Sequence, residues 1–234
     1  MEFIPGDESS DKHKADGHRS PIEPAPMVAL GRGTAFSTRF AVSLILASSS
    51  PIRRQLLDAA GIPHDVAGPS VDEETLKARF DRAPDIAGEL AQAKALSVSA
   101  HHPDDWVIGS DSVVAVDGRI FSKPAHREDA ADHLRVFSGK EMKLTSAAAL
   151  ARGGVVDWRH VETASLQVRP LSEAFIADYL DAEWPEVGYC VGVFRLEGRG
   201  AQLFEGIDGD HFTILGLPLL PLLGALRERG LLRA

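Results

Sequence analysis

The sequence lacks the groups on which several common chemistries depend. It holds one cysteine, Cys190, so a single chain can form neither an internal disulfide nor a multi-cysteine zinc site. No HExxH pair occurs among its histidines. No GxxxxGK[ST] loop occurs either, and Ser138-Gly139-Lys140 lacks the preceding glycine of a P-loop. No apolar run approaches the roughly 20 residues that span a bilayer. The apolar stretch Phe40–Ala47 follows Arg39 but is short and deep in the chain, which suits a first core strand better than a secretory signal. A formal charge of −9 argues against nucleic-acid or anionic-membrane partners, while leaving room for a nucleotide in a locally basic pocket. No internal repeat is present. These absences point to a cytoplasmic protein.

What remains is ordinary globular composition, 44% hydrophobic and 25% charged over 234 residues, enough for one α/β domain or two small lobes. Residues 1–40 are polar, mixed in charge and without a sustained period, and are expected to form a disordered leader; Met27 offers an alternative start. The folded domain is expected over 41–234. Leu44–Ala47 reads as a strand, 51–60 as a helix stopped by Gly61, and His64–Ala67 as a second strand. A long helix is expected over 86–100. Trp106–Gly109 and Val113–Val116 read as short strands on either side of Ser110-Asp111-Ser112, the second turning at Asp117-Gly118 into a hairpin. Arg127–Phe137 is helical. Strands over 142–151 and 155–168 join at Gly153-Gly154, and Ser172 caps a helix through Ala182. After a glycine-rich segment from Gly188 to Gly209, Leu217–Arg229 closes the chain as a helix. Helices alternating with strands and hairpins predict a mixed α/β sheet.

The most informative junction is Ala47-Ser48-Ser49-Ser50-Pro51-Ile52-Arg53-Arg54. Serine hydroxyls, the free N–H groups of a helix start and two guanidinium groups suit a phosphate chain; a plain serine-capped helix fits the same residues. Asp111 follows a short strand, where a carboxylate can face a ligand at the carboxyl edge of a sheet or close a turn on its own backbone. Asp72, Glu73 and Glu74 can hold Mg²⁺ or form solvated surface. Lys94 and Lys123 each offer a point charge for phosphate, Lys123 held extended by Pro124. Cys190 has no evident catalytic partner and reads as a small buried residue, and His101-His102 as surface.

In their order these segments resemble the Maf (septum formation inhibitor-like) family of nucleoside triphosphate pyrophosphatases. The matching stretches are Leu44–Pro51, Val107–Asp111, Lys123-Pro124 with Ser138-Gly139, and Glu197-Gly198-Arg199-Gly200 through Gly216-Leu217-Pro218-Leu219, covering about 43–229. The resemblance implies a mixed α/β fold with two lobes around a nucleotide-binding cleft and flanking helices. It implies cleavage between the α- and β-phosphates with Mg²⁺, or Mn²⁺ in its place. Asp111 then matches the general base. Arg53, Lys94 and Lys123, beside Ser48 and Ser50, match the phosphate-contacting groups, and Glu73 with Asp111 the metal ligands. A homodimer is also implied.

Ile52, Ser112 and Glu197 depart from the commonest family pattern at positions tied to base selection, and look more like the 7-methyl-GTP-hydrolysing branch. A carboxylate at Glu197 can accept from the guanine N1–H and amino edge and attract a 7-methylated, positively charged ring. The alternatives are a dTTP/UTP-preferring enzyme, an orthophosphate-releasing phosphohydrolase, or a nucleotide-binding regulator of septum formation with little catalysis.

Overall fold

The computed structural model describes residues 43–233; the leader expected over 1–40 lies outside them. One seven-stranded mixed sheet organises the fold, in the order β2-β1-β3-β5-β6-β7, with β4 also on β3. Strand β1 (Leu44–Ala47) lies parallel to both β2 (Asp65–Ala67) and β3 (Trp106–Val116). The rest is antiparallel: β4 (Arg119–Phe121), β5 (Glu141–Arg152), β6 (Val155–Val168) and β7 (Phe204–Asp208). The Asp-Gly hairpin forms as expected, with Asp117 at φ 51° and Gly118 at φ 76°, the paired left-handed turn that matches strand twist. No helix among the described residues is long and apolar enough to cross a membrane.

Helix α1 (Pro51–Ala59) starts on proline, buries Leu56 and Leu57, and ends where Gly61 adopts φ 68° and the Ile62 N–H reaches back to the Leu57 carbonyl. Helices α2 (Glu73–Lys77) and α3 (Ala83–Ser99) follow, then α4 (Arg127–Phe137) and α5 (Glu173–Glu183). The hydroxyl of Ser172 caps α5 by accepting from the Phe175 N–H at 3.2 Å. The closing segment is two helices, α6 (His211–Ile214) and α7 (Leu219–Glu228), separated at Gly216, whose φ is 100°.

Several expectations are corrected. The two short strands around Asp111 are one continuous strand, because β5 pairs along β3 from Val107 to Val116; Asp111 is therefore no turn residue. The glycine-rich segment takes in the end of one 3-10 turn (Glu186–Tyr189), a second (Arg199–Leu203) and all of β7, which its glycines concealed. The acid run after β2 opens α2.

Three apolar clusters fill the molecule. Two flank the sheet around β1: Leu46, Leu57, Ile108 and Leu222 on one side, Ile45, Leu90, Ala95 and Val107 on the other. The third gathers Val114, Phe121, Phe137, Leu166 and Leu180 toward the opposite end of the same strands. The three clusters thus share one sheet. On a single edge of β3, β1 pairs as far as Gly109 and β4 begins at Val114. From Ser110 to Val113 no strand covers that edge among the described residues.

Candidate active site

Alternation along β3 sorts the gap residues onto two faces. Gly109 and Asp111 face α3, while Ser110 and Ser112 face the opposite way, toward Gly216. Gly109 permits the approach of α3, since a Cβ there would lie 2.1 Å from the Ala91 carbonyl oxygen and 2.5 Å from the Ala95 nitrogen. With the helix this close, Lys94 reaches Asp111. Its Nζ lies 2.6 Å from Asp111 Oδ1 and 2.7 Å from Glu73 Oε1. Lys94 and Asp111 are both buried, so a cation and a carboxylate are held out of water by one another.

The three clustered acids separate by role. Asp72 caps α2, its carboxylate accepting from the Thr75 N–H at 3.1 Å and hydroxyl at 2.7 Å. Glu74 is exposed. Only Glu73 turns inward, its Oε2 also 3.6 Å from Lys77 Nζ. Burial opposes charge on Glu73, but the hydrogen bond and charge of Lys94, aided by Lys77 and Lys123, hold its carboxyl below the usual range.

On the other face, Arg53 fills part of the gap. Its Nε donates to the Gly216 carbonyl at 2.8 Å, Nη1 to the Ser110 carbonyl at 3.1 Å and Ser48 Oγ at 3.4 Å, and Nη2 to Ser112 Oγ at 2.9 Å. Every one of these acceptors is neutral. Burial lowers the guanidinium pKa, opposed by the charges of Asp111 and Glu73. Such a cation, half-buried and bonded among the described residues only to neutral oxygens, favours an anion beside it. Arg54, which the sequence set beside Arg53, instead points outward and pairs with Asp58 at 3.7 Å; one helical position of about 100° separates their directions.

Ser48 is buried and also accepts from the Ser50 N–H at 3.2 Å. Ser50 makes no side-chain cap to α1, and the first turn carries no acidic residue, which leaves the helix start open to an anion. Ser112 Oγ is shared with Ser146 Oγ at 2.9 Å, so its hydroxyl faces Arg53 within the protein. Ile52 is half-buried in the first turn of α1. Lys123 is exposed just beyond β4, on the far bank of the gap, and its charge reaches both Glu73 and Cys190. Glu197 is exposed on the turn before the second 3-10 segment, close enough for its charge to act on Cys190, Tyr179 and Arg195. Cys190, expected buried, is only partly so, and burial raises its thiol pKa.

Sequence reasoning missed Gly216 as a hub. Its carbonyl accepts from Arg53 Nε, from Ser110 Oγ at 3.1 Å and from Ser112 Oγ at 3.4 Å. The Gly-Leu-Pro-Leu stretch was visible, but a backbone carbonyl carries no side-chain signal. Ser146 and Lys77 were missed as well, and only packing brings them in.

A family profile described as Maf-like protein matches residues 43–229. A 7-methyl-GTP pyrophosphatase from Rhizobium etli is 50% identical over 191 residues, covering 80% of this chain and 96% of that protein. A second 7-methyl-GTP pyrophosphatase, from Rhizobium meliloti, is 46% identical over 82% of this chain and 98% of its own length. A nucleoside triphosphate pyrophosphatase from Sphingopyxis alaskensis is 45% identical over 81% and 98%.

Proposed function

The chain belongs to the Maf-like family, and we propose that it is a nucleoside triphosphate pyrophosphatase that prefers 7-methyl-GTP. The observation that carries this reading is Arg53, a half-buried cation bonded among the described residues only to neutral oxygens, beside the Lys94–Asp111 pair. A phosphate chain gives Arg53 the hydrogen-bonded anion that it lacks. The names of the relatives support both the activity and the base.

The triphosphate lies along the β3 gap, against the start of α1, with Ser48, Ser50, Arg53 and Lys123 around it. Water attacks the α-phosphorus in line, an oxygen–phosphorus bond forms, and the bond to the β-phosphate bridging oxygen breaks. The products are the nucleoside monophosphate and diphosphate. Asp111 takes the proton of the attacking water. Lys94 holds its Oδ1, which leaves Oδ2 for that proton. Lys94 and Arg53 stabilise the charge that develops on the transferring group. Ser112, through its bond to Arg53, fixes the guanidinium.

Among the described residues no cluster of three or more His, Cys, Asp or Glu side chains can enclose a metal. Glu73 and Asp111 nevertheless fit Mg²⁺ or Mn²⁺: Glu73 has Oε1 on Lys94 Nζ and Oε2 3.6 Å from Lys77 Nζ, and Asp111 Oδ1, on Lys94, keeps a lone pair that would face the metal while Oδ2 serves as the base. Mg²⁺ commonly takes one or two carboxylates and completes its shell with substrate phosphates and water. When bound, it neutralises charge on the departing diphosphate.

Glu197 faces the base and favours a guanine edge with a positively charged ring. The test is diphosphate release from 7-methyl-GTP, GTP, dTTP, UTP and CTP, by the parent and by Asp111→Asn. The expected result is preference for 7-methyl-GTP and loss of turnover in the variant. Preference for dTTP or UTP overturns the base assignment, and near-normal turnover by folded Asp111→Asn removes Asp111 as the base.

A further inference from the structure

Glu183 is a buried carboxylate that the chemistry above does not use. It ends α5, and its Oε2 accepts from Arg195 Nε at 3.2 Å and Nη2 at 2.8 Å. Burying a carboxylate against an arginine is weak support for stability, because desolvation offsets the attraction. Its place in the chain is more informative, since Arg195 precedes Glu197 by two residues.

The turn between them is tightly held. Val193 adopts φ 56°, a strained conformation for a β-branched residue, and Tyr179 Oη donates to its carbonyl at 3.0 Å. Gly200 packs against the same segment, where a Cβ would lie 2.5 Å from the Arg195 carbonyl oxygen and 2.7 Å from its nitrogen. A Cβ at Gly198 would sit 3.6 Å from Glu183 Oε2 and 3.9 Å from Arg195 Nη2. The ion pair therefore lies directly under the residue that follows Glu197.

Arg195 stands among three carboxylates. Its guanidinium pKa is raised first by the hydrogen bond to Glu183, with the charges of Glu183, Glu197 and Glu186 adding to it. It bonds only the buried one.

We propose that Glu183 is a positioning residue for base selection: by occupying Arg195 from the interior, it keeps that cation off Glu197 and leaves the Glu197 carboxylate to the nucleobase. The inference rests on the reading that Glu197 faces the base. Without the Glu183 charge, Arg195 turns to Glu197 and, in part, to exposed Glu186. The negative charge facing a 7-methylated guanine is then cancelled.

The experiment compares kcat/KM for 7-methyl-GTP with that for GTP in Glu183→Gln, Arg195→Gln, the double variant and Glu197→Gln. Glu183→Gln is expected to lower the ratio about tenfold, equal to about 1.4 kcal/mol, with KM for 7-methyl-GTP carrying most of the change. The double variant regains most of the ratio, because no cation is left to capture Glu197. A double variant that discriminates no better than Glu183→Gln means that the pair only shapes the loop, and overturns the proposal. An unchanged ratio in folded Glu183→Gln does the same. Should Glu183→Gln not fold, Glu183→Asp, which keeps the charge and shortens its reach, is expected to give a smaller loss of the same sign; no loss there overturns it equally. Glu197→Gln separates the two layers. If it leaves the ratio intact, the base reading itself has failed; if it collapses the ratio while Glu183→Gln does not, only the positioning role has failed.

Discussion

Arg53 Nη1 donates to the Ser110 carbonyl at 3.1 Å, at the point where β3 has lost β1 and has not yet met β4. A guanidinium completes the hydrogen bonding of a sheet edge that no strand covers, and in doing so is held at the gap without a carboxylate partner among the described residues. Arg53→Met is expected to cut kcat/KM by about 100-fold or more, the scale of losing a preorganised cation at developing charge. Unfolding free energy should shift by less than about 2 kcal/mol, because relief of a desolvated charge offsets the orphaned carbonyl. Steady-state kinetics and urea denaturation check both. Unimpaired kinetics would remove Arg53 from the phosphate site.

Gly109→Ala is expected to destabilise the protein by about 2–4 kcal/mol, because the new methyl group overlaps the backbone of α3 at 2.1 Å and 2.5 Å. Pushing α3 outward also withdraws Lys94 from Asp111, so activity at temperatures where the variant is folded should fall as well. Urea midpoints and single-temperature rates measure the two effects.

Chelation should stop diphosphate release, and Mg²⁺ or Mn²⁺ should restore it. Glu73→Gln is expected to raise the Mg²⁺ concentration for half-maximal rate about tenfold or more, since altering groups around a metal commonly costs that much in affinity. A titration of rate against Mg²⁺ gives the answer, and an unchanged midpoint would separate Glu73 from the metal.

His133 packs edge-on against Phe121 with ring centroids 5.1 Å apart, and its Nδ1 is buried without a hydrogen-bond partner among the described residues. Burial holds its pKa below the ordinary 6.5. The neutral ring's contribution is therefore complete above about pH 6.5 and is lost as pH falls through the lower folded value. His133→Leu should lose less stability than the parent as pH falls from about 7.5 to about 5, as read from urea midpoints. An equal loss would place the acid sensitivity elsewhere.

Legibility differed from residue to residue. Leu44–Ala47, Pro51 and Gly61 announce β1 and α1 by apolar run, helix start and helix stop. Asp111 was singled out as a residue, but its surroundings were misjudged. The serines on either side looked like a turn, whereas pairing with β5 holds the strand straight through them. The roles of Asp72, Glu73 and Glu74 could not be separated in sequence, since only the short helix α2 decides which one faces inward. Arg53 and Arg54 looked equivalent for the same reason. Gly216 and the Glu183–Arg195 pair depend on contacts between distant segments, which no local pattern records.

The proposed reaction is attack of water on the α-phosphorus in the β3 gap. Turnover of 7-methyl-GTP in ¹⁸O-labelled water, with products resolved by mass spectrometry, tests it directly. The expected products are diphosphate without label and 7-methylguanosine monophosphate carrying the ¹⁸O. Release of orthophosphate with a nucleoside diphosphate, or label in the diphosphate, would contradict it.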